Sequence, residues 1–398
     1  MRFATLLILC SLALSAITLD QVIQNALVKN PSLESIKHRL KSFDASYTLS
    51  QNFSNPQVTI AIADIQLKDI DNRSLEPMQT TSITLAQKIP AFDKRDALGA
   101  QVKASEASLE ADLSEFKVAL VATIKQSAYS IYANEQKLHI TQRYIELTRQ
   151  NQALYSAYTS NDVNAHMGIM AADLQLAQLK IKKEKLQSQL LGLYKQLSYL
   201  SATDVEHLEL DLLAQEPLKL EYFLAKITHN TALQSKEAKV KESDALVRVK
   251  ELASIPDATL QVGYYHRESF ENYLNIGLGF SLPIYGNETA EQEKARKLLL
   301  ASKSEVNDLE HSLVAQIHQV YAKMLSEYRT YTIIEKESLP QIEHMFDLAS
   351  SSIKSGAELF VYFELLGKKL TLEEQKIDAL GAYYKNKASL EKLTGALK

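Results

Sequence analysis

Residues 95–164 read RDALGAQVKASEASLEADLSEFKVALVATIKQSAYSIYANEQKLHITQRYIELTRQNQALYSAYTSNDVN, a helical pattern with no proline and, after Gly99, no glycine. As a single helix rising about 1.5 Å per residue it would run roughly 100 Å, longer than a globular core can cover. Its apolar residues keep a seven-residue beat in two registers: Ile124, Ile131, Leu138 and Ile145, and Ala133, Ile140, Leu147 and Leu154. The registers sit two residues apart, so at about 100° per residue they lie roughly 200° apart around the helix. A helix with seams on opposite sides needs a packed neighbour on each, as in a wall or tube of helices.

On the C-terminal side the pattern breaks near Asn161, Asp162, Asn164 and Gly168, and a return helix is expected from Ala171 to about Leu200. It too carries two registers, Leu174 with Ile181 and Leu179 with Leu186 and Leu193. On the N-terminal side the period changes from helical to alternating. Pro56–Ile62 and Thr81–Gln87 each alternate apolar with small or polar residues, as strands do when their two faces meet different media. A polar loop from Lys68 to Pro77 separates them, and Pro90 closes the hairpin. Before it, a short helix stops at Lys29-Asn30-Pro31, because proline disfavours helix in the residue before it, and a second runs to about Gln51.

The order of elements then starts again. Asn30, Leu33, Ser35 and Pro56 recur as Asn230, Leu233, Ser235 and Pro256. A second strand pair follows, Thr259–Tyr264 and Leu274–Leu282, the latter with large apolar residues on one face and Asn, Gly, Gly and Ser on the other. Pro283 answers Pro90, a long helix runs to about Ile353 with a bend at Pro340, Gly356 answers Gly168, and a last helix reaches Leu397. The chain is thus expected to hold two copies of one plan, residues 17–200 and 201–398, behind a leader at 1–16.

That leader, MRFATLLILCSLALSA, has one basic residue, an apolar run and then small residues, the form of a secretory signal cut near Ser15 or Ala16. Cys10, the single cysteine, falls inside it, so the mature chain has neither a disulfide nor thiolate chemistry. The whole chain of 398 residues has only 11 Gly and 8 Pro to punctuate it, so long elements are expected. Its charged residues, 23% with a net of −4, alternate in sign along helical faces and make no basic stripe for nucleic acid. There is no phosphate-binding glycine loop, HExxH, GxSxG or paired cysteine motif. The chain is therefore not expected to be an enzyme or to hold a cofactor or metal.

Four strands of about ten residues, apolar on one face, suit the wall of a membrane β-barrel. Four strands cannot close around a lumen, and an open edge cannot face lipid, so other copies of the chain must complete the barrel. Tyr264, Tyr265, Tyr273, Phe280 and Tyr285 lie near strand ends, where amphipathic rings favour the membrane interface.

The repeated order of helix, helix, strand, strand and long helix pair resembles the TolC-like outer membrane efflux channels. Thr18–Val22 through Ala26-Leu27 to Asn30-Pro31, Leu85–Pro90, Phe280–Ile284, Leu339-Pro340-Gln341, Ser355-Gly356 and Leu365-Leu366 are similar to that family's motifs. The resemblance spans residues 18–397 and is greatest to the heavy-metal (CzcC/CusC-type) branch. It implies a mainly α fold with a small β part: a homotrimer with a twelve-stranded barrel in outer membrane lipid and a periplasmic α-barrel of long hairpins. It also implies a passive exit duct for heavy-metal ions or drugs, served by a periplasmic adaptor (membrane fusion) protein and an inner-membrane RND-type pump. An ABC exporter would replace that pump in the alternative, a type I protein-secretion duct. A competing reading from the residues alone is a periplasmic coiled-coil scaffold without a pore, which leaves the alternating strands without purpose.

The candidate gate lies at the two hairpin tips. Relatives carry aspartates after the tip glycine of the second repeat, and here Tyr362 occupies that position, with Glu358 and Glu364 nearby; Asp173 is the match in the first repeat. In a trimer each acid becomes a ring that can bond neighbouring helices or attract cations. The glycines at the tips permit tight reversals, and Met167, Gly168, Ile169, Gly356, Leu359 and Phe360 are the candidate adaptor contacts.

Overall fold

The computed structural model describes residues 17–158, 163–352 and 356–396, with side chains described for 17–153, 168–349 and 361–396. The leader at 1–16 and the side chains of Met167, Gly356, Glu358, Leu359 and Phe360 lie outside the described residues.

The chain opens with a short strand, β1 (Ile17–Thr18), and helix α1 (Leu19–Lys29). Thr18 starts the helix with a capping box: its Oγ1 accepts the Gln21 N–H at 3.3 Å while its own N–H donates to Gln21 Oε1 at 3.0 Å. Two of the donors that a helix start leaves unpaired are thereby satisfied. Pro31 opens α2 (Pro31–Gln51), where a missing N–H costs nothing. Next come β2 (Gln57–Ala63), β3 (Thr80–Ile89), α3 (Lys94–Tyr158), α4 (Val163–Ser201), β4 (Leu208–Glu209), α5 (Leu220–Leu224), a 3-10 turn and α6 (Thr231–Ala253). The chain continues through β5 (Ala258–His266), β6 (Tyr273–Phe280), α7 (Asn287–Ile333), a π turn at Ile334–Ser338, α8 (Leu339–Ser352) and α9 (Gly356–Leu393).

Two boundaries differ from the sequence reading. Helix α4 begins at Val163 and not at Ala171, and Gly168 is buried inside it. An isolated glycine costs a helix only about 1 kcal/mol, so it weakens the turn without ending it. At Pro340 the α-helix is not continuous: a π turn, Ile334–Ser338, precedes the proline. Proline lacks the N–H and its ring presses on the carbonyl four residues back, here Lys336, which falls within the widened π stretch.

The chain divides into two compact units. The first comprises the N-terminal residues to Ser35, Leu113–Thr231 and Glu310 onward. In it, α3 has α4 along one side and α9 along another. Lys125 pairs with Glu391 at 2.5 Å, Lys137 with Asp378 at 2.7 Å and Arg143 with Glu373 at 2.6 Å, partners that run in opposite directions along α3 and α9. To α4, the Tyr194 hydroxyl donates to Glu135 Oε1 at 2.5 Å. Both registers of α3 contribute to packing. Ile124 and Ile131 are fully buried and Ile145 and Ala133 nearly so, while Ile140 and Leu147 are half-buried against the cluster of Tyr144, Leu176, Phe363 and Leu366.

On α4 only one register is filled. Leu179 and Leu186 are buried, whereas Met170, Leu174 and Ile181 are 70%, 62% and 57% exposed along one side of the helix. An apolar stripe of that kind is a seam with its partner missing from the single chain.

The paired asparagines each join two helix ends. Asn30 precedes α2; its Oδ1 accepts the Ser32 N–H at 2.9 Å and its Nδ2 donates to the Leu200 carbonyl at 3.0 Å in the last turn of α4. Asn230 precedes α6, and its Nδ2 donates to the Leu393 carbonyl at 2.9 Å at the end of α9. One amide side chain can serve both the unpaired donors of a helix start and the unpaired carbonyls of a helix end, which a carboxylate or hydroxyl does less completely.

The second unit comprises Ile36–Asp112 and Ala232–Leu309. Its helical part is held by Val247, Ala295 and Leu299 and by ion pairs such as Lys236–Glu305 and Lys250–Glu291, each at 2.6 Å. Gln51 and Arg95 bind reciprocally, each side chain donating to the other's carbonyl at 3.0 Å. The rest of the unit is the sheet.

Candidate channel-forming surfaces

The sheet is antiparallel in the order β2-β3-β5-β6, leaving β2 and β6 as free edges in the single chain. Its register sorts side chains by chemistry. Val58, Leu85, Val262 and Ile276 form one cross-strand row, and Ile60, Ile83, Tyr264 and Leu274 form the next. Leu260 opposite Leu278 and Ala258 opposite Phe280 continue the same face. These are large apolar groups, yet Val58 is 58% exposed, Ile60 73%, Leu274 67% and Ile276 77%. The alternate rows carry the opposite chemistry: Thr59, Thr84, Gly263 and Asn275 in one, Gln57, Ala86, Gln261 and Gly277 in another. Because side chains alternate with a period of two, a slip of one residue between any two strands would have mixed the faces. The register keeps them apart over the middle of the four strands; toward the ends of β3, Gln87 joins Leu260 and Leu278, and Thr81 joins Ile62, on the apolar face.

Tyr264 and Phe280 belong to the apolar face, as expected of interfacial rings. Tyr265 and Tyr273 do not. They are directly opposite each other on the polar face and stack with ring centroids 4.8 Å apart and planes 5° from parallel. The Tyr265 ring lies over Gly263, where a Cβ would come within 2.8 Å of it, so the glycine is what lets the ring lie flat.

The two ends of the sheet are fixed differently. At the hairpin-loop end, Arg73 donates to the carbonyls of Ala63 at 2.6 Å and of Asp64 and Thr80 at 3.2 Å, closing the loop between β2 and β3. At the helix end Asp257, just before β5, accepts from Lys94 Nζ at 2.7 Å and the Ala91 N–H at 3.0 Å, with Lys88 Nζ at 3.1 Å. Burial acts to raise the Asp257 carboxyl, but the Lys94 ammonium, the Ala91 N–H and the Lys88 ammonium outweigh it and hold it down to about 2. Pro90 and Pro256 mark this junction in sequence; the aspartate between them in space carries no motif and was not singled out.

At the tips, Asp173 is exposed on α4 and accepts from Gln152 Nε2 of α3 at 2.7 Å. Glu364 is exposed on α9, pairs with Lys368 one turn later at 2.7 Å, and borders a groove of about 720 Å³ with Gln175, Lys182 and Phe363. Tyr362 is in neither setting. It is buried, packed against Phe346 and Phe363, and its hydroxyl accepts from Asn151 Nδ2 at 2.7 Å. Burial raises its pKa, against the Asn151 hydrogen bond. Placed this way it is a packing residue, and the two described acids are the ones available to solvent. Gly168 is buried and Ile169 half-buried, so of the proposed contacts on α4 these two do not form an exposed apolar tip; Met170, beside them, is the exposed one.

Among the described residues no helix is long and apolar enough to cross a membrane. The exposed apolar face of the sheet is the surface with that chemistry. No family model and no curated protein matches the sequence. Solved structures do. A structure of CusC, described in terms of folding and transmembrane channel formation, aligns over 95% of this chain and 92% of its own at 14% identity and a TM-score of 0.76. The open state of the MtrE outer membrane channel of Neisseria gonorrhoeae aligns over 95% and 89% at 14% identity and a TM-score of 0.74. The outer membrane protein VceC of Vibrio cholerae aligns over 95% and 96% at 14% identity and a TM-score of 0.75. This chain has the TolC-like channel fold. The likeness covers nearly the full length of both partners in each comparison.

Proposed function

We propose that three copies of this chain form an outer membrane duct with a long periplasmic extension, the exit of a tripartite efflux system. The observation that carries this is the sheet: two free edges, and mid-sheet cross-strand rows of Val, Leu, Ile and Tyr set apart from rows of Thr, Gln, Asn, Ala and Gly. In water such a face is an aggregation hazard, and in lipid free edges leave backbone groups unpaired at several kcal/mol each. Closing twelve strands around a bore removes both problems, with apolar rows against lipid and polar rows against water. The bare stripe of Met170, Leu174 and Ile181 supports the same assembly, since a neighbouring copy would fill it. A periplasmic adaptor and an inner-membrane pump would complete the route, and the duct itself would work passively. A leader cleaved near Ser15 or Ala16 fits this destination.

The experiment is fractionation followed by reconstitution. The chain should partition with the outer membrane as an oligomer stable in detergent and form discrete conductance steps in planar bilayers. Release by salt as a monomer would refute the duct. For the tips, we assign the gate to Asp173 and Glu364, the acids available to solvent. Replacing both with alanine should raise single-channel conductance and change ion selectivity, and unchanged traces would remove that role.

A further inference from the structure

We propose that the wall of the duct binds planar aromatic molecules on a platform of stacked tyrosines, Tyr265 and Tyr273, near the loop end of the sheet. This rests on the duct reading above, since the polar face lines a bore only when the barrel closes.

Most of that face offers little for a flat organic ring to rest on. Along β2, β3, β5 and β6 its described residues are Thr, Ser, Ala and Gly, with the amides of Gln57, Gln261 and Asn275 and the ammonium of Lys88. Tyr265 and Tyr273 are the aromatic exceptions; Tyr264 and Phe280 belong to the opposite face. A directly opposed pair steadies a hairpin. The geometry of this one goes further.

The two rings are parallel to within 5°. Every other ring pair among the described residues is tilted or edge-on, at 39° to 89°. An edge-on pair covers a ring face with an edge, whereas a parallel pair leaves flat outer faces on which a third planar group continues the stack. The sheet also seats the platform: a Cβ on Gly263 would lie 2.8 Å from the Tyr265 ring and 2.9 Å from Thr84 Oγ1. Glycine there removes the side chain that would hold the ring away from the wall.

The chain already lays one planar group against this platform. The Arg267 guanidinium is 5.0 Å from the Tyr273 ring centroid, steadied by Nε donating to the Glu271 carbonyl at 2.7 Å. Even so, Tyr273 is 37% exposed. In the closed barrel each of three copies would supply such a platform, and stacking of this kind accepts many ring systems because each has a π face. The loops beyond this end of the sheet carry both signs of charge, with acids in excess, so an uncharged guest is needed to read stacking alone.

The probe is riboflavin, planar and uncharged at neutral pH, and the comparator is ribitol, its side chain without the ring system. Full-length channel in phosphatidylcholine vesicles is dialysed to equilibrium against each, with protein-free vesicles as the blank. The wild type should retain riboflavin and not ribitol. Tyr265→Leu and Tyr273→Leu, which keep an apolar side chain without a ring, should each weaken retention about threefold or more. Gly263→Ala, which keeps both rings but unseats Tyr265, should fall with them, and Tyr265→Phe and Tyr273→Phe should stay within about twofold of the wild type. Conductance steps in planar bilayers report which variants have formed the barrel. Riboflavin retained no better than ribitol, retention unchanged in the leucine and alanine variants, or retention lost equally in the phenylalanine ones overturns the inference while leaving the duct intact. A wild type without conductance removes the duct and this inference together.

Discussion

Ile276 and Asn275 are neighbours on β6 that the register places on opposite faces, so the same substitution at each separates a lipid-facing surface from a water-facing one. Ile276 is 77% exposed in the single chain, in the row with Val58, Leu85 and Val262 near the middle of the sheet. If that face met water, Ile276→Arg would change stability by no more than about 0.5 kcal/mol, as for other exposed positions. Facing lipid at mid-depth, arginine costs about 2–4 kcal/mol per copy, or about 6–12 kcal/mol across three copies. Asn275→Arg, opposite Gly263 on the polar face, should cost little. Refolding into lipid vesicles across a urea series measures the difference per chain, and unheated gel electrophoresis of membrane extracts reports the surviving trimer. Equal stabilities, or a greater loss for Asn275→Arg, would refute the assignment of faces and with it the barrel.

The asparagine bridges give a second set of expectations. Asn30→Ala should cost roughly 1–2 kcal/mol in denaturant unfolding, since it removes a helix-start acceptor and the donor to a carbonyl at another helix end, and Asn230→Ala about 1 kcal/mol for the donor to the Leu393 carbonyl; a loss below about 0.3 kcal/mol would count against either bridge. Ala202 and Gly395 occupy the matching positions after α4 and α9, both at positive φ (52° and 70°). Ala202→Gly should therefore stabilise by roughly 0.5–1 kcal/mol. Gly395→Ala should destabilise more strongly, because the new Cβ would sit 2.0 Å from the His229 carbonyl oxygen, and thermal melts should rank the two in opposite directions. Asp257 predicts an acid limit. Its folded pKa of about 2 lies below its ordinary 3.8, so its contribution is full above about pH 4 and fades as pH falls toward 2. Protease protection near Lys94 should decline over that window in the wild type, and Asp257→Asn should be weaker at neutral pH and lack this part of the acid response.

Much of the architecture was legible in the residues because it rests on local rules. A run without proline or interior glycine becomes α3, the shift from a helical to an alternating period locates the four strands of the larger sheet within a few residues, and Lys29-Asn30-Pro31 marks where the first helix stops; the two-residue pair of β1 and β4 left no such signal. The errors arose where a local signal was outweighed. Gly168 was read as a break, but packing retains a glycine inside α4. At Pro340, read as a bend, the regular α-helix is interrupted by a π turn just before the proline, which the sequence reading did not foresee. At the tips, sequence spacing put Tyr362 with the acids, and only the helix's azimuth shows that its ring points inward and theirs do not. Asp257 and Arg73 gave no signal for a related reason. A lone charged residue beside a strand has no periodicity, and its role depends on what folds against it.

The sequence by itself determined that this chain has long helices with two apolar flanks and four strands with two unlike faces, because side-chain periodicity follows directly from backbone geometry. Tertiary structure alone decided which strand lies beside which and in what register. That choice aligns the apolar rows across the sheet, gathers Lys88, Lys94 and Asp257 from distant segments, and leaves one seam of α4 bare. These are relations between residues far apart in the chain, set by packing and electrostatics across the fold, and no local pattern encodes them.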